Sequence, residues 1–402
     1  MDTFDTDILT PTKEPKLRNT ATPQEQIHET QPLMDYINNS SKQLQMAKDR
    51  IIFFGSGEFP VRTFEEITEL RDRYEIVGLV TTRKSSRLFK KDSPIGNTSL
   101  SSIAYQKNIP LIYWDEHPED DVYEFCRMLS PDIFCVISFK KLSERFLSLP
   151  KKVAFNVHAS LLPLLRGSAP INHAILNGFS KTGLTAFVLN NKIDSGNILS
   201  AMPVDIGPEE DFGSLYWRMS NMCLEFTENV LWHLTSEDCN SYISNAIQQA
   251  PAIPGHPFFN APKLTSGYLE MWEYSGIDNV LNRLRSVSPT DGLHLSLTVV
   301  DAKTRNEVKY FETKILKAHK SHMTSDFTYE LTDGKTYMYC IVHGPFDSYD
   351  CLVIDRIQVA GKKAMDIKEF LRGFQVWVND KYEIIHNDFY IKKNNDEQGN
   401  IG

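Results

Sequence analysis

The 402-residue sequence has little that would place it in a membrane, an oxidising compartment or a metal-binding class. Its six cysteines are scattered, and no two have the CxxC spacing of a zinc or redox site, so we expect reduced, buried thiols. No stretch approaches the roughly 20 apolar residues that cross a bilayer. The N-terminal segment lacks the basic start and apolar run of a secretory signal, and its acids argue against a mitochondrial presequence. We therefore expect a cytoplasmic protein without membrane or metal.

The sequence also lacks an excess of positive charge, since 43 Lys and Arg face 52 Asp and Glu, for a net charge of −9. Contacts to nucleic-acid phosphates need Lys and Arg, so an RNA-binding function would require a local basic surface. One polar loop carries five cations, namely Arg83, Lys84, Arg87, Lys90 and Lys91. By itself this cluster is either an ordinary solvated charge cluster or a phosphate-binding loop. Phe89 within it is a candidate to stack on an unpaired base.

Composition and periodicity divide the chain into five segments. Residues 1–49 are polar and are predicted to be a disordered extension. Residues 50–240 alternate apolar runs with helical stretches, which predicts an α/β domain with a Rossmann-like, open and mostly parallel sheet. Residues 241–275 contain an aperiodic stretch rich in Pro and Gly and are interpreted as a linker. Residues 276–378 turn to short β-like runs, which favour a small antiparallel, OB-like barrel, and residues 379–402 form a tail.

Three polar residues stand where apolar strands end. Asn156 and His158 follow each other with one residue between them, so they point to the same side of a strand. Asp194 lies in a polar loop after a later strand. Ligands of open parallel sheets gather beyond the carboxyl ends of the strands, and we expect all three side chains at that edge.

These residue types suit acyl transfer to an amine. An amide can donate to the oxygen that becomes negative, an imidazole can accept or relay the amine proton, and a carboxylate can orient the imidazole. Each residue also has an ordinary structural explanation. His158 could be a satisfied structural residue, Asp194 a turn residue, and Asn156 a backbone-capping amide.

Two longer strings decide between these explanations. NVHASLLPLLRGSAPINHAILNG, residues 156–178, and GLTAFVLNNKIDSGNIL, residues 183–199, resemble the signature of formyltransferases that use 10-formyltetrahydrofolate. The resemblance implies that Asn156, His158 and Asp194 are the catalytic residues and that no metal takes part. It also implies folate contacts, for which the matching positions are Ser160, Leu161, Leu162, Pro163, Phe139, Leu142 and Asn190.

Two later stretches are similar to methionyl-tRNA formyltransferases. They are residues 261–289, with Ala261-Pro262-Lys263-Leu264-Thr265, and residues 355–373, which end in Glu369-Phe370-Leu371-Arg372-Gly373. This likeness implies a monomer whose acceptor is initiator methionyl-tRNA. It also implies that the basic loop engages the tRNA, with Arg166 and Gly167 completing the substrate site.

Other functions were weighed against this one. A Rossmann oxidoreductase is disfavoured because Gly55-Ser56-Gly57 is followed by Pro60 where the dinucleotide fingerprint has its third glycine. Formyltransferases that act on nucleotide-linked amino sugars share the three catalytic residues and a similar C-terminal barrel. A formyl-folate hydrolase would need no basic loop. A catalytically inactive RNA-binding protein would have no reason to keep the catalytic residues intact.

Overall fold

A computed structural model describes residues 48–69, 72–83, 89, 93–251, 253, 256–264, 276–322, 339–343, 349–374 and 382–386. Contacts divide the chain between Lys48 and Asp49. The predicted N-terminal extension, up to residue 47, lies outside the described residues. The domains that follow belong to the second unit.

The first domain is built on a seven-stranded sheet with the order β3-β2-β1-β4-β5-β6-β7. Its strands are β1 (Asp49–Gly55), β2 (Tyr74–Thr81), β3 (Leu111–Tyr113), β4 (Ile133–Ile137), β5 (Val153–His158), β6 (Lys181–Val188) and β7 (Ile198–Asp205). The first five strands pair in parallel, whereas β6 and β7 run antiparallel to their neighbours. The predicted open, mostly parallel sheet is confirmed.

The continuous apolar run of β1 follows from burial on both faces of this sheet. Ile51 and Phe53 point into one hydrophobic core, and Ile52 and Phe54 point into the core on the opposite face. All four side chains have no exposed surface. A strand covered on both sides needs no polar alternation, which is why its sequence reads as uninterrupted hydrophobic residues.

Helices cover both faces of the sheet. They are α1 (Val61–Ile67), α2 (Leu100–Gln106), α3 (Glu119–Met128), α4 (Glu144–Leu147), α5 (Pro170–Leu176), α6 (Phe212–Leu234) and α7 (Cys239–Ser244). The long helix α6 buries an apolar stripe at helical spacing, including Leu215, Met219 and Cys223. Its first turn is capped by Asp211, whose carboxylate accepts a hydrogen bond from Ser214 N at 2.8 Å.

The C-terminal domain contains the predicted antiparallel sheet. Its elements are α8 (Gly276–Val287), β8 (Leu293–Asp301), β9 (Glu307–His322), β10 (Tyr339–His343), β11 (Tyr349–Val359), β12 (Met365–Asp366), α9 (Ile367–Phe374) and β13 (Tyr382–His386). The strand order is β10-β11-β9-β8-β13, with β12 on β11. One of the short β-like runs of residues 276–378, at residues 327–331, lies outside the described residues. Because β13 pairs with β8, the domain extends past residue 378, into the segment predicted to be a tail.

The two domains touch through α5 and α8. Asn172 Nδ2 donates to Ser286 O at 2.7 Å, and the Arg285 guanidinium donates to Pro208 O at 2.6 Å. The prediction of reduced, buried thiols is confirmed for Cys126, Cys135, Cys223 and Cys239. Within the described residues, no helix combines the length and the apolar character needed to span a bilayer.

Candidate active site

Strand β5 presents two of the predicted catalytic side chains on one face. Asn156 pairs with Val136 on one side and Phe187 on the other, so it lies between β4 and β6. His158 is two residues further and is only 6% exposed. The Asn156 side chain is partly exposed and has no hydrogen-bond partner among the described residues. Its amide group therefore remains available to a ligand.

The His158 ring is held by the loop that follows β5. Nε2 lies 2.9 Å from Leu165 O, and because a carbonyl oxygen only accepts, Nε2 is the donor. Nδ1 faces Asp194 Oδ2 at 3.7 Å, which is longer than a hydrogen bond. The neutral imidazole therefore carries its hydrogen on Nε2 and keeps the Nδ1 lone pair free. This is the nitrogen that can accept a proton.

Asp194 reaches His158 from a hairpin loop between β6 and β7. The sequence predicted a mostly parallel sheet at this point, but the strand that precedes Asp194 is antiparallel to β5. Because β6 is antiparallel to β5, its last residue, Val188, pairs with Phe155, so the following loop must fold back to approach His158. Asp194 itself has a left-handed backbone with φ +44°, which Asp tolerates better than most residues.

The Asp194 carboxylate is fixed by the main chain of the loop after β5. Its Oδ2 accepts a hydrogen bond from Gly167 N at 2.8 Å. Gly167 has φ +124°, and a Cβ atom at this position would lie 2.7 Å from Ala261 O. Only glycine fits here. The sequence predicted that Gly167 binds the substrate, whereas the contact seen in the structure is its hydrogen bond to the Asp194 carboxylate.

Arg166 and Gln249 form a second connection to the same hairpin loop. Arg166 donates from Nε and Nη2 to Gln249 Oε1 at 3.1 and 2.6 Å. Gln249 Nε2 donates to Asp194 O and Gly196 O at 3.1 and 2.8 Å. Burial lowers the pKa of Arg166, while the charge of Asp194 opposes that shift. Gln249 was missed because it lies in the segment predicted to be a linker, where no pattern marks it.

The predicted folate segment after β5 is tightly structured. Ser160 has no exposed surface, and its Oγ donates to Leu164 O at 2.7 Å. Thr185 of β6 donates to Ser160 O at 2.6 Å and accepts from Leu162 N at 3.1 Å. Ser160 and Leu162 therefore shape the loop from inside, whereas Leu161 and Pro163 are half-buried and present surface.

Three further residues were predicted to contact folate. Phe139 is half-buried and contacts the rings of Phe54 and Trp114 edge-on, each at 5.7 Å between centroids. Leu142 is 2% exposed in the same core. Asn190 Oδ1 accepts hydrogen bonds from Lys192 N at 2.9 Å and Ser195 Oγ at 3.1 Å, so its side chain shapes the hairpin loop.

This geometry coincides with a known family. Residues 49–229 match the family described as formyl transferase. The methionyl-tRNA formyltransferase of Phocaeicola vulgatus is 27% identical over 339 residues, which cover 83% of this chain and 98% of that protein. Residues 49–229 of this chain therefore form a formyl transferase domain. The methionyl-tRNA formyltransferase of Chlorobium phaeovibrioides is 29% identical over 327 residues, covering 81% of this chain and 95% of that protein.

Solved structures share the formyltransferase fold. WlaRD, a sugar 3N-formyl transferase crystallised with dTDP and 5-N-formyl-THF, has a TM-score of 0.53 and 16% identity, and covers 79% of this chain and all of its own. An N-formyltransferase of Helicobacter canadensis, in complex with folinic acid and dTDP-3-aminofucose, has a TM-score of 0.50 and 17% identity, covering 76% and 99%. At these identities the likeness confirms the fold of the formyltransferase and no more.

Two residues of the basic loop can be placed, and both are engaged within the formyltransferase. Arg83 forms an ion pair with Glu116, lies 4.0 Å above the Tyr113 ring, and donates from its main-chain N to Asp115 at 2.8 Å. The hydrogen bond to Glu116 raises the pKa of Arg83. The other four predicted tRNA contacts lie outside the described residues; they are Lys84, Arg87, Lys90 and Lys91.

Phe89 does not serve the role that the sequence suggested for it. It is 7% exposed, and its ring lies 5.1 Å from the rings of both Tyr216 and Trp217 on α6. A side chain buried in this way cannot stack on an unpaired base. Phe89 instead fixes the loop to the domain core, because an aromatic ring is stabilised far more by such packing than by exposure in a polar loop.

A cleft of about 500 Å³ lies away from the predicted residues of the formyltransferase site. It is lined by side chains of α1, α6 and the turn before α2, namely Arg62, Glu65, Glu66, Pro94, Ile95, Thr98, Asn221 and Leu224. None of these belongs to the predicted catalytic residues. Among the described residues, no group of three or more His, Cys, Asp or Glu side chains could hold a metal ion.

Proposed function

We propose that this formyltransferase moves the formyl group of 10-formyltetrahydrofolate to the α-amino group of initiator methionyl-tRNA. The observation that carries the chemistry is the approach of Asp194 to His158 Nδ1 beside the amide of Asn156, which has no hydrogen-bond partner in the part of the chain that the structure describes. The acceptor follows from the relatives, since proteins named methionyl-tRNA formyltransferase align over 95–98% of their own length. That alignment extends beyond the catalytic domain and takes in much of the C-terminal domain.

The three side chains divide the work of the transfer. The neutral amine nitrogen adds to the formyl carbon, and Asn156 Nδ2 donates to the oxygen that becomes negative. Because Leu165 O occupies Nε2, His158 receives the amine proton at Nδ1, and the Asp194 carboxylate stabilises the imidazolium that results. The bond from carbon to the folate nitrogen then breaks, and the proton passes to that nitrogen. The products are the N-formylated acceptor and tetrahydrofolate.

The folate is proposed to lie against the loop after β5. The half-buried Leu161, Pro163 and Phe139 offer apolar surface, and Ser160, Leu162 and Leu142 support that surface from within. Asn190 uses its side-chain oxygen inside the hairpin loop, which leaves its amide nitrogen for a ligand. The presence of 5-N-formyl-THF and folinic acid in the two similar structures supports a folate in this fold.

The tRNA is proposed to bind through Lys84, Arg87, Lys90 and Lys91. Arg83 and Phe89 of this basic loop both contact the domain, and each of the four cations is within two residues of one or the other in the sequence. Phosphate contacts position an RNA without reading its sequence, so this loop supplies affinity and orientation.

The choice of acceptor is tested by direct comparison. The protein is mixed with 10-formyltetrahydrofolate and either methionyl-tRNA or a dTDP-linked amino sugar, and tetrahydrofolate formation is followed. We expect turnover with methionyl-tRNA and none above background with the sugar nucleotide. Turnover with the sugar alone would reject the proposed acceptor while leaving formyl transfer intact. The sugar enzymes remain the second candidate because two of the similar structures belong to that class.

A further inference from the structure

Gln249 is a buried polar residue whose side chain forms hydrogen bonds. It lies after α7 and is 8% exposed, whereas its neighbour Gln248 is exposed. A primary amide offers two hydrogens and two lone pairs. Gln249 uses all four, with two bonds donated to Asp194 O and Gly196 O and two accepted from Arg166. A buried polar group satisfied this completely defines the positions of all its partners.

The partners of Gln249 belong to the two loops that form the catalytic site. Asp194 and Gly196 lie in the β6–β7 hairpin loop, and Arg166 lies in the loop after β5. The residue next to Arg166 is Gly167, whose N–H holds the Asp194 carboxylate at 2.8 Å. The hairpin loop is thus tied to residues 166–167 twice, once through its main-chain carbonyls and once through the catalytic side chain.

The hydrogen-bonding groups on either side of Gln249 require an amide at this position. Arg166 has only donors to offer, and the carbonyl groups of Asp194 and Gly196 can only accept. A connector between them must accept at one end and donate at the other. A Glu side chain would keep the acceptor for Arg166, but it would lose both donors and set a carboxylate oxygen against two carbonyl oxygens.

We propose that Gln249 is a positioning residue for formyl transfer, which couples Arg166 to the hairpin loop and thereby sets Asp194 against His158. Arg166 then acts inside the protein, as part of this connection, rather than as the substrate contact suggested by the sequence. The inference rests on the catalytic role proposed for Asp194. It adds a residue from outside the two sequence strings that identified the site.

Activity measurements test the coupling through a double-mutant cycle. Gln249→Met and Gln249→Glu should each lower kcat with methionyl-tRNA at least tenfold, while the Kd for 5-formyltetrahydrofolate stays within threefold of wild type. The exposed neighbour supplies the matched control, and Gln248→Met should remain within twofold. In a protein that already carries Asp194→Asn, adding Gln249→Met should lower kcat by less than a further twofold. A fully additive loss, or wild-type kcat in Gln249→Glu, would overturn the proposal.

Hydrogen exchange, which does not depend on activity, tests the positioning role of Gln249 separately from the catalytic role proposed for Asp194. In protein labelled with ¹⁵N-glycine, exchange of the Gly167 amide hydrogen reports its bond to Asp194. Gln249→Met should speed this exchange at least tenfold, and Gln248→Met should leave it unchanged. Unchanged exchange in both variants would overturn the coupling. If Asp194→Asn kept wild-type turnover, the catalytic assignment would fail while the exchange result still decided the structural connection.

Discussion

At the scale of single residues, the site depends on main-chain atoms as much as on the three proposed catalytic side chains. Leu165 O selects the tautomer of His158, and Gly167 N selects the position of the Asp194 carboxylate. Both belong to one loop between β5 and α5. His158 and Asp194 are therefore oriented by main-chain atoms of a segment whose own side chains need not touch a substrate.

Gly167→Ala tests that dependence. The left-handed backbone at φ +124° and the approach of a new Cβ to Ala261 O would force the loop to move, at a cost of about 1–3 kcal/mol in the free energy of unfolding. We expect turnover to fall at least tenfold. Turnover is measured with both variants, and urea unfolding gives the free energy of unfolding of each. Gly373→Ala is the control, because nothing lies within 4 Å of its added Cβ. Equal turnover in both variants would contradict the assignment.

The sequence predicted some of these residues and could not predict others. Asn156, His158 and Asp194 were identified because they stand in two long, specific strings. Gln249 could not be, since its partners are brought to it only by folding across more than fifty residues. Phe89 was interpreted wrongly because a basic, polar neighbourhood in sequence gave no sign that its ring packs against α6.

At the scale of secondary-structure elements, Asp132 connects the starts of β1, β4 and β5. Its Oδ2 accepts from Arg50 N at 2.8 Å, and its Oδ1 accepts from Lys151 Nζ at 2.9 Å. Burial acts to raise the pKa of Asp132, but these hydrogen bonds and the nearby lysines outweigh burial and lower it. The folded state therefore holds the ionised carboxylate more firmly than the unfolded chain does.

The sign of this shift fixes a pH dependence. A lowered pKa in the folded state gives stability that is present above the unfolded value of about 3.9 and is lost as the pH falls through the folded value. We expect Asp132→Asn to lower the free energy of unfolding by roughly 1–2 kcal/mol at pH 7, because the amide oxygen can still accept from Arg50 N but lacks the carboxylate charge that strengthens this bond. Urea unfolding from pH 6 to pH 3.5 should show this difference narrowing. A constant difference would contradict the account.

Composition and periodicity predicted the alternation of apolar runs and helical stretches in residues 50–240. The strands β1, β2 and β4 are such apolar runs, and α6 carries an apolar stripe at helical spacing. The helices α2, α4 and α7 and the strand β12 are too short for such a signal. The direction of β6 could not be inferred either, because an apolar strand has the same composition in parallel and antiparallel pairing.

At the scale of the whole molecule, Arg285 of α8 joins the C-terminal domain to the catalytic domain. Its guanidinium donates to Pro208 O at 2.6 Å and to Glu210 O at 3.3 Å, and burial lowers its pKa. Arg285→Ala would leave these carbonyl groups without their charged donor. We expect a loss of about 1.5–3 kcal/mol in the free energy of unfolding, with folate affinity unchanged. The control is Arg372→Ala, at an exposed position of α9.

The proposed binding of tRNA by the basic loop is tested through the salt dependence of the reaction. Replacing Arg87 and Lys90 with Ala should weaken tRNA use and flatten its dependence on salt, since each phosphate contact releases counterions. The measurement is kcat/KM for methionyl-tRNA at salt concentrations from about 50 to about 200 mM, a range over which phosphate contacts make binding strongly dependent on salt. Lys303→Ala, in an exposed turn of the C-terminal domain, is the control. An unchanged salt slope would remove the loop from the proposed tRNA surface.

The chemistry proposed for Asn156 and His158 is tested most directly by single-turnover formyl transfer with both substrates saturating. A transition-state donor such as Asn156 is worth roughly 3–4 kcal/mol, and a general base such as His158 contributes about a hundredfold or more, so Asn156→Ala and His158→Ala should each lower the rate by about a hundredfold or more. The Kd for 5-formyltetrahydrofolate should stay within threefold of wild type. Rates within threefold of wild type in both variants would contradict the assignment of the site.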